Sequence, residues 1–121
     1  MYESEIDIRN IPDELLVEPA GYKVLLAIPK VQEKTKGGIY RPEAEAAREE
    51  HAAMVGLVVR KGPIAYSGEQ FRSRDWCQPG DWVLFRPYGG TKFTIRGVEF
   101  RLINDDMVEG VTTDPGEVVR K

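Results

Sequence analysis

One cysteine and one histidine are all that this sequence offers of the two residue types most used to bind zinc. Cys77 alone cannot build an internal disulfide framework, and a lone thiol fits a reducing cytoplasm. His51 alone cannot supply a multi-histidine site, and no Cys-x-x-Cys pair makes up the count, so no metal is expected. No apolar run approaches the length of a membrane-spanning helix, and no basic-then-apolar signal opens the chain, so no membrane partner is expected. Basic clusters are missing too. The formal net charge is −3, with six acidic side chains against Arg9 in residues 1–18 and 16 basic against 14 acidic groups in the remainder. Neither part has the clustered Lys and Arg of a phosphate-binding surface, so nucleic acid is not an expected partner. No nucleophile–base pair or ligand cluster can be assembled either, which argues against an enzyme and leaves no catalytic candidates.

What remains is a chain of 121 residues with 41% apolar content, enough for one domain with a single core. Residues 1–18 read as an acidic N-terminal arm, in which Ile6 and Ile8 alternate with Asp7 and Arg9. Pro12-Asp13-Glu14 before Leu15-Leu16-Val17 is suited to one short helical turn. Tyr22–Ile28 is apolar and β-branched, a strand stopped by Pro29. Val55–Val59 is a second apolar run, closed by Lys61-Gly62-Pro63. Gln78-Pro79-Gly80-Asp81 is a strong turn signal, because proline fixes one φ and glycine accepts a positive one. Trp82–Phe85 follows it as a strand. Phe93, Ile95, Val98, Phe100 and Leu102 predict a hairpin turning at Arg96-Gly97, with Glu99 and Arg101 facing away. Met107, Val108 and Val111 predict a last short strand before a tail at 113–121. Ser67-Gly68 between Tyr66 and Phe71 suggests a further hairpin over Ile64–Arg74, with Ser67, Gly68 and Glu69 at its polar tip. Short strands at regular spacing predict an all-β domain, a small irregular antiparallel β-barrel or sandwich over residues 19–112.

Between the first two strands lies a polar stretch. From Gln32 to Ala53 it carries five acidic and four basic residues, and Ile39 and Tyr40 are its only large apolar side chains. Glu43–Ala53 has good helix propensity after Pro42, yet its apolar face is only alanine. Taken alone, Gly37-Gly38-Ile39-Tyr40 admits two readings of equal standing. In one, a flexible Gly-Gly hinge presents an apolar anchor to a partner; in the other, the glycines form a hairpin turn and Ile39 starts a strand.

In order, these pieces resemble the ten-kilodalton co-chaperonin family, the lid of the chaperonin cage. Pro19–Ile28 resembles the family's first strand, and Gly37-Gly38-Ile39 the Gly-Gly-Ile of its mobile loop. Gln78–Phe85 resembles its turn and strand, and Asp106-Met107-Val108 takes the place of its final Asp-Ile-Leu strand. The likeness covers about Pro19–Val111. It departs at Tyr22-Lys23, where the family usually carries Asp-Arg, and at Tyr40-Arg41, where two aliphatic residues are usual. The divergence and the acidic extensions look like those of a virus-encoded, bacteriophage-type member. The resemblance implies a homo-oligomer, a heptameric ring, that caps an ATP-driven chaperonin chamber and assists folding of encapsulated client proteins in the cytoplasm. It implies a mobile loop at about 30–54, docking on the large chaperonin ring through Gly37, Gly38, Ile39, Tyr40, Arg41 and Pro42. It also places a roof hairpin at about 63–76. No cofactor is implied, since ATP and Mg belong to the partner. Two rival expectations are a structural β-domain of a viral particle and a small barrel that binds nucleic acid or a metabolite, the latter disfavoured by the missing basic patch. Trp76, Trp82, Phe85, Phe93 and Phe100 read most simply as core or barrel-face residues, Cys77 as a packed thiol, His51 as a solvated residue and Asp105-Asp106 as a turn.

Overall fold

A computed structural model describes residues 8, 11–29, 54–72, 74–86 and 89–118. Six strands, β1 (Lys23–Ile28), β2 (Val55–Lys61), β3 (Trp82–Phe85), β4 (Thr91–Ile95), β5 (Val98–Asn104) and β6 (Val108–Thr112), form one antiparallel sheet in the order β4-β5-β1-β2-β3-β6. The only helices among the described residues are single 3₁₀ turns, so the chain is all-β as its strand signals predict. Among the described residues hydrogen bonding does not close the sheet, and β4 and β6 are its edges. No described helix is long and apolar enough to cross a membrane.

The central strand explains its own sequence. Lys23-Val24-Leu25-Leu26-Ala27-Ile28 is an almost unbroken apolar run because both faces of β1 are covered. Successive side chains point to opposite faces, so Val24, Leu26 and Ile28 enter one core and Leu25 and Ala27 another. The first core continues through Val55, Val58, Val83, Phe85, Ile103 and Val108. It is covered by Tyr66, Phe71 and Cys77 from the connection between β2 and β3. The second core holds Phe100 beside Leu25 and Ala27, under Ile11 of the N-terminal segment. Fully burying a side chain of this size contributes roughly 1.5–3 kcal/mol, so these two layers dominate the stability.

Covering both faces also corrects one expectation. Arg101 does not face solvent; it lies opposite Leu26 and is fully buried. Its guanidinium sits 5.2 Å from the Phe85 ring centroid and 3.8 Å from a Glu99 carboxylate oxygen. Alternation along β5 turns Phe100 and Leu102 toward the second core, so Arg101 must enter the first.

The turns behave as their residues dictate. Arg96 and Gly97 both take positive φ, 50° and 80°, and close β4 onto β5 with Ile95 opposite Val98. Gly80 takes φ 97° after Pro79, and the Asp81 N–H donates to the Gln78 carbonyl at 3.0 Å. That turn then docks on β2, with the Gly80 N–H donating to Val58 and the Val58 N–H to Asp81, both at 2.8 Å.

Candidate functional site

Gly37, Gly38, Ile39, Tyr40, Arg41 and Pro42 lie outside the described residues, and so does His51. The roots of their segment are described. β1 delivers the chain to Ile28 and Pro29, both buried, and β2 takes it up again at Val55, which is fully buried. Pairing of Ala27 with Leu57 and Leu26 with Val58 holds the two roots side by side. Gly56 permits this closeness, since a Cβ there would lie 3.1 Å from the Leu26 side chain. On the other flank the Phe85 N–H donates to the Met54 carbonyl at 2.9 Å. Residues 30–53 therefore leave and rejoin the sheet at two neighbouring, anchored points.

The segment 63–76 differs from the expected hairpin. Its described residues carry no strand; a turn through Ile64–Tyr66 leads into a 3₁₀ helix at Glu69–Phe71. Ser67 and Glu69 are exposed, the Ser67 hydroxyl donates to the Ile64 carbonyl at 2.6 Å, and Gly68 sits in extended backbone just before the helix. The alternation of Tyr66 and Phe71 about Ser67-Gly68, read as two strand limbs, instead serves an aromatic cluster. The Tyr66 and Phe71 rings meet edge-on at 4.9 Å and Phe71 and Trp76 edge-on at 4.7 Å, while Tyr66 and Trp76 are tilted at 40° with centroids 5.7 Å apart. Such pairing adds to the burial of the rings and draws the segment back onto the first core.

A polar clamp fixes this fold-back. Tyr66 has φ 63°, a left-handed conformation that costs energy for a bulky side chain. Its N–H donates to a carboxylate oxygen of Asp105 at 2.9 Å, and Asp105 is itself buried in the 3₁₀ turn after β5. The Tyr66 hydroxyl lies 3.4 Å from the Cys77 sulfur. Burial, helped by that contact, pushes the phenol well above the ordinary tyrosine range, and burial likewise pushes the Cys77 thiol up. Both groups are therefore neutral, and Cys77 is a packed thiol as expected. Lys61 pairs with Asp75 and donates to Gln78 at 3.0 Å, tying the end of the segment to β2.

Outside the clamp, Trp76 stays 40% exposed and Val111 53%, and both line a groove of about 480 Å³ completed by Arg74, Asp75 and Val108–Gly110. Among the described residues no group of three or more potential ligands is placed to hold a metal. Asp105-Asp106 does form a turn, but the sequence contains no sign that Asp105 serves Tyr66, 39 positions away. Arg60 was equally invisible: one guanidinium reaches Glu18 and the carbonyls of Asp13 and Leu16.

A family model, described as the chaperonin 10 kDa subunit, matches residues 16–112. The chain is also similar to proteins called co-chaperonin GroES. The relative from Lawsonia intracellularis is 33% identical over 105 residues, covering 87% of this chain and 98% of its own length. The relative from Desulfotalea psychrophila is 32% identical over 95 residues, covering 78% and 96% respectively. That from Methylacidiphilum infernorum is 30% identical over 90 residues, covering 74% and 87%.

Proposed function

The chain belongs to the chaperonin 10 kDa subunit family, and from that premise we propose that it caps an ATP-driven chaperonin chamber through residues 37–42 and assists folding of the proteins enclosed. As a co-chaperonin it is a chaperone component and not an enzyme. The observation that carries the capping step is the pairing of β1 with β2, which pins the two roots of the 30–53 segment side by side. Between those roots, from Gln32 to Ala53, Ile39 and Tyr40 are the only large apolar residues of a polar stretch, with two glycines before them. Such a segment cannot build its own core, and its apolar pair is suited to a groove on another protein.

The energetics favour many weak contacts over one strong one. Burying Ile39 contributes roughly 1.5–3 kcal/mol, while ordering each surrounding residue costs roughly 1–2 kcal/mol in backbone entropy. One loop alone binds weakly. A ring of copies, seven in this reading, presents later loops at high effective concentration, so collective docking is firm yet reversible when the partner changes state. Gly37-Gly38 is the hinge, and Arg41 supplies a polar contact at the rim. An edge strand supports assembly: among the described residues β6 pairs only with β3, and it exposes Val111, leaving a surface for a neighbouring copy. The protein works in the cytoplasm without a cofactor of its own, nucleotide and Mg being the chaperonin's.

Mixing the purified protein with a chaperonin and nucleotide tests this directly. The wild type is expected to form a nucleotide-dependent complex and to support client refolding. Ile39→Asp is expected to lose the complex while its oligomer, measured by light scattering, is unchanged. Full binding by that variant would remove the loop from the interface, and no complex with any cognate chaperonin would overturn the capping role.

A further inference from the structure

The N-terminal segment, residue 8 and residues 11–18, lies on the second apolar face of the sheet without joining it. Ile11 is buried there, and Ile8, Leu16 and Val17 pack against the cluster of Leu25, Ala27 and Phe100. Phe93 stacks on Phe100 in the same layer, with centroids 5.7 Å apart and an interplanar angle of 16°. The segment contributes no strand to the sheet. Its backbone hydrogen bonds run within itself: Ile11 to Ile8, Leu15 to Pro12 and Leu16 to Asp13. Among the described residues, apolar packing and the side chain of Arg60 tie it to the sheet. That guanidinium donates to the Leu16 carbonyl at 3.5 Å, the Asp13 carbonyl at 3.4 Å and the Glu18 carboxylate at 2.7 Å.

A β-bulge puts Arg60 in position. Leu26 lies opposite Val58 but Leu25 opposite Arg60, so Val59 is the extra residue on β2. An extra residue breaks strict alternation. Val59 packs in the second core, and Arg60, next in the chain, reaches the segment lying on that same face. Without the bulge, alternation would carry Arg60 to the other face.

We propose that this segment is a strap over the second face, latched by Arg60, which opens as a unit while the sheet stays folded. Two features make it separable from the sheet. Its secondary structure is a single 3₁₀ turn, and it leaves Leu15 43% exposed. Its strongest polar tie ends on Glu18, whose side chain is 81% exposed and open to screening by salt. Opening uncovers Leu25, Ala27 and Phe100, a surface that the closed strap keeps from binding apolar ligands. This inference requires nothing of the chaperone reading, and its test involves no chaperonin.

The test is limited proteolysis of the full-length protein at Glu14 and Leu15, followed with an apolar dye and far-ultraviolet circular dichroism. Arg60→Ala is expected to speed strap cleavage by about tenfold or more and to raise dye fluorescence, with strand content retained. Arg60→Lys, which keeps a cationic donor, is expected to recover much of the protection. Raising salt from about 0.01 M to about 1 M shortens the screening length from roughly 30 to 3 Å, and is expected to speed cleavage of the wild type severalfold. The salt series decides the matter even if Arg60→Ala fails to fold. Strap cleavage that tracks global unfolding, or that responds neither to salt nor to Arg60→Ala, would overturn the proposal.

Discussion

Replacing Asp105 by alanine removes the carboxylate that accepts the Tyr66 N–H at 2.9 Å. Tyr66 is 2% exposed, so no solvent is at hand to take over that donor. A hydrogen bond to a charged group contributes about 1.5–3 kcal/mol, and leaving a buried donor unpaired costs a similar amount. The same bond holds Tyr66 at φ 63°, a conformation it would otherwise leave. A loss of roughly 2–3 kcal/mol is therefore expected. Unfolding entropy of about 2.1 cal/mol/K per residue, over 121 residues, converts this to a fall in Tm of about 8–12 °C. Wild type and variant must be compared at one protein concentration, since assembly shifts apparent stability. Asp105→Asn keeps an acceptor oxygen and is expected to lose about half as much. Trp76 fluorescence gives a second readout, because the Tyr66–Phe71–Trp76 cluster is built on this clamp. Should alanine change stability by less than about 0.5 kcal/mol, or should asparagine do as much harm as alanine, Asp105 is not what holds Tyr66 in place.

Three other outcomes are expected. Gly90 has φ 82° and a Cβ there would run into the Leu102 carbonyl, whereas Gly80 has φ 97° and open space around it; Gly90→Ala should therefore shift the urea midpoint further than Gly80→Ala, whose cost is backbone strain alone at about 1 kcal/mol. Alkaline pH should destabilise the fold, because a thiol and a phenol held neutral by burial stabilise it fully below their ordinary values of 9.0 and 10.0 and progressively less above them. Melting curves from pH 8 to pH 11 should show that decline, and Tyr66→Phe should flatten its upper part. Arg41→Ile should tighten nucleotide-dependent chaperonin binding in a pull-down, since another aliphatic anchor contributes up to roughly 1.5–3 kcal/mol per loop; unchanged affinity would place Arg41 outside the groove.

The strands were legible because their apolar runs and breakers are local. The first four strand signals and the Arg96-Gly97 turn needed only neighbouring residues, and each appears within a residue or two of its expected place. The segment at Ile64–Arg74 was misread for a related reason. Two aromatics about a Ser-Gly pair look the same whether they face each other across a hairpin or turn together onto a core. Only Asp105 and Trp76 decide between the two, and both are distant or ambiguous in sequence.

An all-β domain, its turns and one polar stretch holding a single apolar pair follow from residue order, because these depend on spacing and residue type alone. Which faces are buried was left to the tertiary structure. Arg101 alternates with Phe100 as a solvent residue would, and it is buried only because both faces of the sheet are covered. The N-terminal arm had no partner that its sequence could name. A bulge at Val59 directs Arg60 across the second face, and Arg60 reaches back 42 positions to Glu18. Contacts of that span exist only once the chain has folded, because the register of paired strands sets them and no local pattern records it.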